Sequence, residues 1–235
     1  MHRLGAILKK ELKHYFFSPM AYIVTALFLL ITGWFFGNSL FLMKEAEMRG
    51  ILDVIPVILM FVIPAITMRS IAEERKMDTL QILLTLPVRE REIILGKYVA
   101  SLIFYATVLI FTLFYPLVLS LLGRPDTGVI LSSYVGLLLL GATYIAIGIF
   151  ASSLTSNQVI AFVTGFAIIF VLFIAGRVVG IMPLKLQPIV EGFSVTSHFE
   201  DLLRGIISST DIVYFMMLNI LFLTLSVYVL REKGK

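Results

Sequence analysis

The sequence predicts an all-α membrane protein with six transmembrane helices, an N-terminal amphipathic helix and short helical segments outside the spans. The 235-residue chain is 59% hydrophobic and only 14% charged, and its mean hydropathy is +1.00. Several apolar runs reach the ~20 residues that a helix needs to cross a bilayer. A transmembrane β-barrel is excluded, because its short strands would alternate apolar with polar residues. The lack of cysteine excludes disulfides and thiolate metal sites.

Residues 3–17 (RLGAILKKELKHYFF) have the pattern of an amphipathic helix that lies in the membrane interface. Apolar residues recur at helical spacing on one face, and the basic residues lie on the other. A basic face beside an apolar one is typical of helices that bind anionic headgroups. The alternative is an ordinary helix packed on a cytoplasmic part of the same protein.

Six apolar segments follow within a single domain, residues 1–235. Ser18-Pro19 separates the first segment from the N-terminal helix, and Pro56 and Pro64 predict kinks in the second. The first segment is too long for a signal-peptide core, so we expect it to be retained. The loop 123–128 reads as a turn from its Gly, Pro and Asp content. The predicted spans are residues 20–42, 51–68, 98–122, 129–151, 158–175 and 212–230.

The distribution of basic residues predicts the orientation. If the N-terminus is cytoplasmic, 13 of the 19 Lys and Arg residues lie in cytoplasmic segments. Because Lys and Arg concentrate on the cytoplasmic side, we expect a multi-pass protein of the cytoplasmic (inner) membrane with both termini in the cytoplasm. The modest net charge of +4 bears on topology and anionic lipid, and no nucleic-acid partner is predicted.

Charge is concentrated in segment 69–92 (RSIAEERKMDTLQILLTLPVRERE), between the second and third spans. Ser70 and Glu73 have the S-x-x-E spacing of a helix start; the alternative is that span two continues through them as helix. An exposed apolar face is predicted after it, and such a face is typical of a site that binds a groove on another protein. Alternatively, these side chains enter the membrane interface or pack on the N-terminal helix. The face consists of Met77, Leu80, Leu83, Leu84 and Pro87.

This layout resembles the ABC transporter type-2 permease family. Its members have six spans, an amphipathic N-terminal elbow helix, and a cytoplasmic segment E-E-R-x-x-G-T-L-E-x-L-L-x-x-P followed by a span that opens with G-K. Here the segment runs over residues 73–87, and Gly96-Lys97 opens the next span; Asp78 replaces the usual Gly and Gln81 the usual Glu. The resemblance implies a coupling helix that seats in a separate ATP-hydrolysing subunit. The implied ATPase-coupling residues are Glu73, Glu74, Arg75, Thr79, Leu80, Leu83, Leu84 and Pro87.

Two further stretches resemble permeases of gliding-motility and nitrous-oxide-reductase-maturation systems. Residues 151–161 (ASSLTSNQVIA) match S-x-L-T-x-N-Q-x-x-A, and residues 198–215 resemble H-F-x-x-F-x-R-G…D-x-x-Y-F. The first stretch implies a second cytoplasmic contact, although a helix cap at Asn157 also explains it. The second belongs to an interfacial or shallowly re-entrant outer region, either an outer gate or a structural lid. The contact residues are Thr155, Asn157 and Gln158, and the gate residues are His198, Phe199 and Arg204.

The sequence lacks the motifs of catalysis. It contains no G-x-x-x-x-G-K-[ST] nucleotide loop and no H-E-x-x-H or G-x-S-x-G motif, and its three histidines are scattered. We therefore predict no catalytic residue, metal site or cofactor in this chain. Asn219, inside the sixth span, is expected to hydrogen-bond a neighbouring helix rather than a substrate.

The resemblance as a whole implies a permease subunit of an ABC transporter, with export as the expected direction. One chain would form half of a pathway, so we expect a homodimer or a pseudo-symmetric permease dimer in contact with membrane lipid. ATP and magnesium would bind to separate ABC ATPase subunits. The alternatives are a membrane assembly component of a motility or metalloenzyme-maturation machine without cargo, and an intramembrane enzyme.

Overall fold

Six long apolar helices make up most of the described structure. In a computed structural model of the protein, residues 2–41, 48–81, 88–123, 126–181, 183, 185 and 187–232 are described, and no strand occurs among them. Six of the helices are long and apolar enough to cross a membrane, which confirms the predicted fold class. We call them spans one to six: Pro19–Leu40, Gly50–Lys76, Glu90–Leu122, Thr127–Leu154, Gln158–Ile181 and Ser209–Glu232.

Shorter elements complete the described structure. The N-terminal helix is His2–Phe17, and two short helices, Gln187–Phe193 and Val195–Leu203, precede span six. Two spans are interrupted, and a third changes helix type at its end. Span two consists of Arg49–Thr67 and Arg69–Lys76, span three of Glu90–Thr112 and Phe114–Leu122, and span five ends in the 3-10 turn Val179–Ile181.

Local sequence sets several helix ends as predicted. Ser18 lies outside the helices and Pro19 opens span one, at the position where a missing N–H costs nothing. The Asp126 side chain accepts from the backbone N–H of Gly128 at 2.9 Å and so starts span four within the predicted turn. The Asn157 side chain accepts from Val159 N at 2.9 Å, which confirms Asn157 as the cap of span five.

Span four is the centre of the bundle. In its most apolar stretch 78% of the residues are buried inside the protein, against 17% for spans five and six. Two glycines let neighbouring helices approach it: a Cβ on Gly141 would collide with the Tyr105 ring of span three, and one on Gly148 with the Thr67 hydroxyl of span two. Side-chain volume therefore fixes how spans two and three pack on span four.

Candidate functional site

The N-terminal helix packs along span three. The Tyr15 hydroxyl lies 2.8 Å from Ser101 Oγ, and the Tyr15 ring stacks on Phe104 with centroids 5.5 Å apart. A Cβ on Gly96 would lie 2.7 Å from Ile7 Cγ2, so the glycine of the G-K pair permits this close approach. Burial raises the pKa of Tyr15 above its usual value. The helix therefore rests on the protein with one face, while its position in the interface stays a prediction.

Four charged side chains meet where the N-terminal helix, the end of span two and the start of span three converge. Lys97 Nζ lies 2.9 Å from Glu11 Oε1 and 2.9 Å from Glu74 Oε2. Lys10 Nζ contacts the other Glu74 oxygen at 3.1 Å. Lys97 is 1% exposed and Glu11 is 6% exposed. We call Lys10, Glu11, Glu74 and Lys97 the charged junction; its two cations balance its two anions, and the buried Lys97 is paired, as a buried charge must be.

The members of the charged junction differ in their contact with solvent. The Lys10 side chain is 62% exposed. Burial alone would lower its pKa, but the charge and hydrogen bond of Glu74, with the charge of Glu11, outweigh burial and raise the pKa of Lys10. Lys97 is enclosed and bridges two carboxylates. Because breaking a buried pair leaves a charge without a partner, Lys97 is the member on which the junction depends.

Sequence reasoning found half of this junction and gave it a different role. It assigned Glu74 to the ATPase contact, whereas Glu74 pairs within the chain. It noted Lys97 only as part of the G-K pair and gave Glu11 no role. A signal was present, since Glu11 lies four residues from both Ile7 and Tyr15 and so falls on the apolar face of its helix.

A serine from span four enters the hydrogen-bond ladder of span two. Ser152 Oγ accepts from the backbone N–H groups of Ile71 and Ala72, both at 3.0 Å, and donates to the carbonyl of Met68 at 3.0 Å. These bonds use its full hydrogen-bonding capacity. A side chain inserted in this way kinks a helix, and span two is interrupted at Met68. We call this insertion the serine latch.

Of the two interpretations of Ser70, a new helix start or continuation of span two, the structure supports continuation. The backbone of Met68 has right-handed helical dihedrals, and its side chain forms no capping hydrogen bond. Span two therefore continues to Lys76 with a kink at the serine latch. Arg75, predicted to contact the ATPase, donates from Nη1 to the Ser153 carbonyl at 2.9 Å. The end of span two is thus fastened to the end of span four.

The rest of the predicted coupling segment is partly described. Leu80 is 5% exposed and belongs to the hydrophobic core, which contradicts its prediction as an exposed contact, whereas Met77 is 66% exposed. Thr79 is exposed and its hydroxyl donates to the Glu74 carbonyl at 3.2 Å. Asp78 has φ 57°, in the left-handed region that favours glycine, which accounts for the Gly usual at this position in the resembling family. Leu83, Leu84 and Pro87 lie outside the described residues.

The residues of the second predicted contact and of the outer region form hydrogen bonds and ring contacts within the chain. Thr155 Oγ1 accepts from Asn157 N at 3.1 Å, and Gln158 is the first residue of span five. In the outer region, His198 Nδ1 lies 2.7 Å from Asp211 Oδ1, and its ring stacks on that of Tyr214. These contacts join the 195–203 helix to span six, and both functional roles stay predictions.

The other two gate residues have different surroundings. Phe199 is 3% exposed and packs over Gly136 of span four. Arg204 is exposed, and its guanidinium lies 3.7 Å from Glu200. The helix begins after Ser194, whose hydroxyl accepts from Ser197 N at 3.2 Å.

Asn219 forms hydrogen bonds between helices, as predicted. Its Oδ1 accepts from the Tyr98 hydroxyl at 2.8 Å, and its Nδ2 donates to Thr143 Oγ1 at 2.9 Å. The side chain thereby connects spans three, four and six in the apolar part of the bundle, where few polar partners are present.

A comparison with protein-family models identifies the chain. The model of the ABC-2 family transporter protein matches residues 48–231. The chain belongs to the ABC-2 transporter family. A comparison with curated proteins found no match. This ABC-2 chain is accordingly an integral membrane protein and a permease subunit of an ABC transporter, a transport component whose family implies an ABC ATPase partner.

The family match divides the charged junction. Glu74 and Lys97 of this ABC-2 permease lie within the matched residues, whereas Lys10 and Glu11 of the N-terminal helix precede them. The junction therefore joins the matched membrane domain to the helix that lies along span three. Glu74 of the E-E-R segment and both residues of the G-K pair therefore take part in holding that helix inside the subunit.

Proposed function

We propose that this permease is half of an ABC exporter of the inner membrane, and that it receives motion from a separate ATPase through segment 77–92. One observation carries the proposal. Spans two and three are 27 and 33 residues long, or about 40 and 50 Å at 1.5 Å per residue, against a bilayer core of about 30 Å. Spans of this length would extend beyond the hydrocarbon core, which supports a connecting segment that is outside it.

The contacts around these spans support transmission of force. A push on segment 77–92 acts on span two, which the charged junction ties to the N-terminal helix and span three. The serine latch passes the same motion to span four at the centre of the bundle. In this proposal ATP binding draws two ATPase subunits together, and two permease chains open the pathway between them.

The orientation and direction belong to the same proposal. The excess of Lys and Arg supports cytoplasmic termini, which would place segment 77–92 on the side where ATP is available. Export rests on the resemblance of the whole chain to type-2 permeases. The resemblance to gliding-motility and nitrous-oxide-reductase-maturation permeases rests on residues 151–161 and 198–215 alone.

Co-purification tests the coupling role. The tagged permease is expressed with a candidate ABC ATPase subunit from the same organism, and Leu83 and Leu84 are both replaced with Asp. Burying two leucines is worth about 3 kcal/mol or more, so we expect the affinity for the ATPase to fall more than about 100-fold. The variant should still insert and elute as a single species in detergent.

A matched control separates docking from a general effect of added charge. Ile206 and Ile207 are also adjacent and exposed, and in this topology they face the opposite side of the membrane. Replacing both with Asp should leave the ATPase bound. The proposal is wrong if the Leu83 and Leu84 variant keeps its ATPase, or if both variants lose it equally.

A further inference from the structure

A cavity of about 550 Å³ lies between the N-terminal helix, span one and span two. One wall is apolar and includes Met20 and Val24 of span one and Ile66 of span two. Lys13 and Arg69 line the same cavity from the N-terminal helix and from the kink of span two. Its volume lies within the range of ligand-binding pockets, and its lining divides into an apolar part and a cationic part.

The charges that line the cavity do not cancel. Lys10 and Lys97 are paired with the two carboxylates of the charged junction. Lys13 and Arg69 have no ion-pair partner in the part of the chain that is described, and Glu73 is the one further acid of the lining. These three side chains give the lining a net charge of +1, and His14 also lines the cavity.

A buried hydrogen-bond donor of Arg69 favours an anionic ligand. Arg69 Nε is shielded from solvent and has no hydrogen-bond partner among the described residues. Such a buried donor costs about 1–3 kcal/mol unless a ligand accepts from it. A phosphate oxygen suits a guanidinium, because the bond is charge-assisted and can be bidentate.

The location of the cavity identifies the kind of anion. Pro19 begins span one, and the cavity lies between that end and the kink of span two, at the depth where hydrocarbon gives way to headgroups. We propose that the cavity binds an anionic phospholipid. Its phosphate contacts Lys13 and Arg69, and an acyl chain lies along Val24 and Ile66. A free phosphate would leave the apolar wall without a partner.

Such a lipid would also contact the start of the coupling segment. Met77 and Thr79 line the cavity, as do Glu11 and Glu74 of the charged junction. Lipid binding to this lining does not require a docked ATPase. Bound lipid should stabilise the N-terminal helix against spans one and two, since a ligand that binds the folded state stabilises it.

Thermal unfolding of the delipidated full chain in detergent tests the site. The added probes are short-chain phosphatidylglycerol, the matching phosphatidylcholine, and glycerol 3-phosphate. We expect phosphatidylglycerol alone to raise Tm. Replacing Lys13 and Arg69 with Gln should weaken its apparent affinity about tenfold or more, as expected for the loss of charge-assisted bonds. The control replaces Lys9 and Arg231, both exposed and outside the cavity lining, with Gln.

A second variant leaves every charge in place. Ala65 lines the cavity from span two, and Ala65→Trp should fill it and abolish the phosphatidylglycerol response even if the double Gln variant fails to fold. An equal response to glycerol 3-phosphate would show a free-phosphate site, and an equal response to phosphatidylcholine would show a lipid site without charge selection. Either result overturns the proposal, as does an unchanged response in both cavity variants.

Discussion

Replacing Lys97 with Met tests the charged junction most directly. Methionine retains an unbranched apolar side chain but removes the cation that lies 2.9 Å from both Glu11 and Glu74. Because Lys97 is 1% exposed and Glu11 is 6% exposed, water cannot replace that cation. Removing one partner of a buried ion pair costs about 3–5 kcal/mol, and we expect a loss of that size in the free energy of unfolding.

The control is the second lysine of the same junction. The Lys10 side chain is 62% exposed and contacts one oxygen of Glu74 at 3.1 Å. Exposed ion pairs contribute about 0–1 kcal/mol, so Lys10→Met should cost no more than that. Both variants add the same apolar group, and they differ in whether the lost charge was buried.

The assay is equilibrium unfolding in detergent micelles, followed by circular dichroism. Adding Glu11→Gln to Lys97→Met should recover part of the loss. Lys97→Met leaves the Glu11 carboxylate buried without a cation, and Glu11→Gln replaces that carboxylate with a neutral amide. The two single substitutions should therefore not add, which a double-mutant cycle measures. If Lys97→Met costs less than about 1 kcal/mol, or no more than Lys10→Met, the charged junction does not hold the N-terminal helix.

Two further predictions concern the packing of span two on span four. Ser152→Ala should lower the free energy of unfolding by about 1–3 kcal/mol, because the serine latch satisfies three backbone groups. Ser153→Ala should cost far less, since that hydroxyl bonds only within its own helix. Equal losses in Tm for the two variants would refute the latch. Gly148→Ala should destabilise by about 1–3 kcal/mol through overpacking, and Thr67→Ala should rescue it. Gly37→Ala should leave the stability unchanged, because a Cβ added at Gly37 meets open space. A Gly148→Ala variant as stable as this control would contradict the described packing.

The predictions that succeeded depend on short stretches of sequence. Pro19 and Asn157 set helix ends through their own backbone chemistry, and the apolar runs are recognised by length. Other local signals left two interpretations open, and contacts with distant residues decided between them. Ser70 has the spacing of a helix start, but Ser152 kinks span two without ending it. Leu80 is part of an apolar face, but the bundle covers it.

The sequence by itself determined that six helices cross the membrane, because burying apolar side chains in hydrocarbon is a property of each segment alone. Only the tertiary structure decided which charges meet. Glu11 and Lys97 are 86 residues apart in the chain, and their contact depends on the rotation and depth of two helices. Those are set by side-chain shape at close approaches such as Gly96 against Ile7. Helix packing, which no short stretch encodes, thus converts scattered charges into one balanced junction.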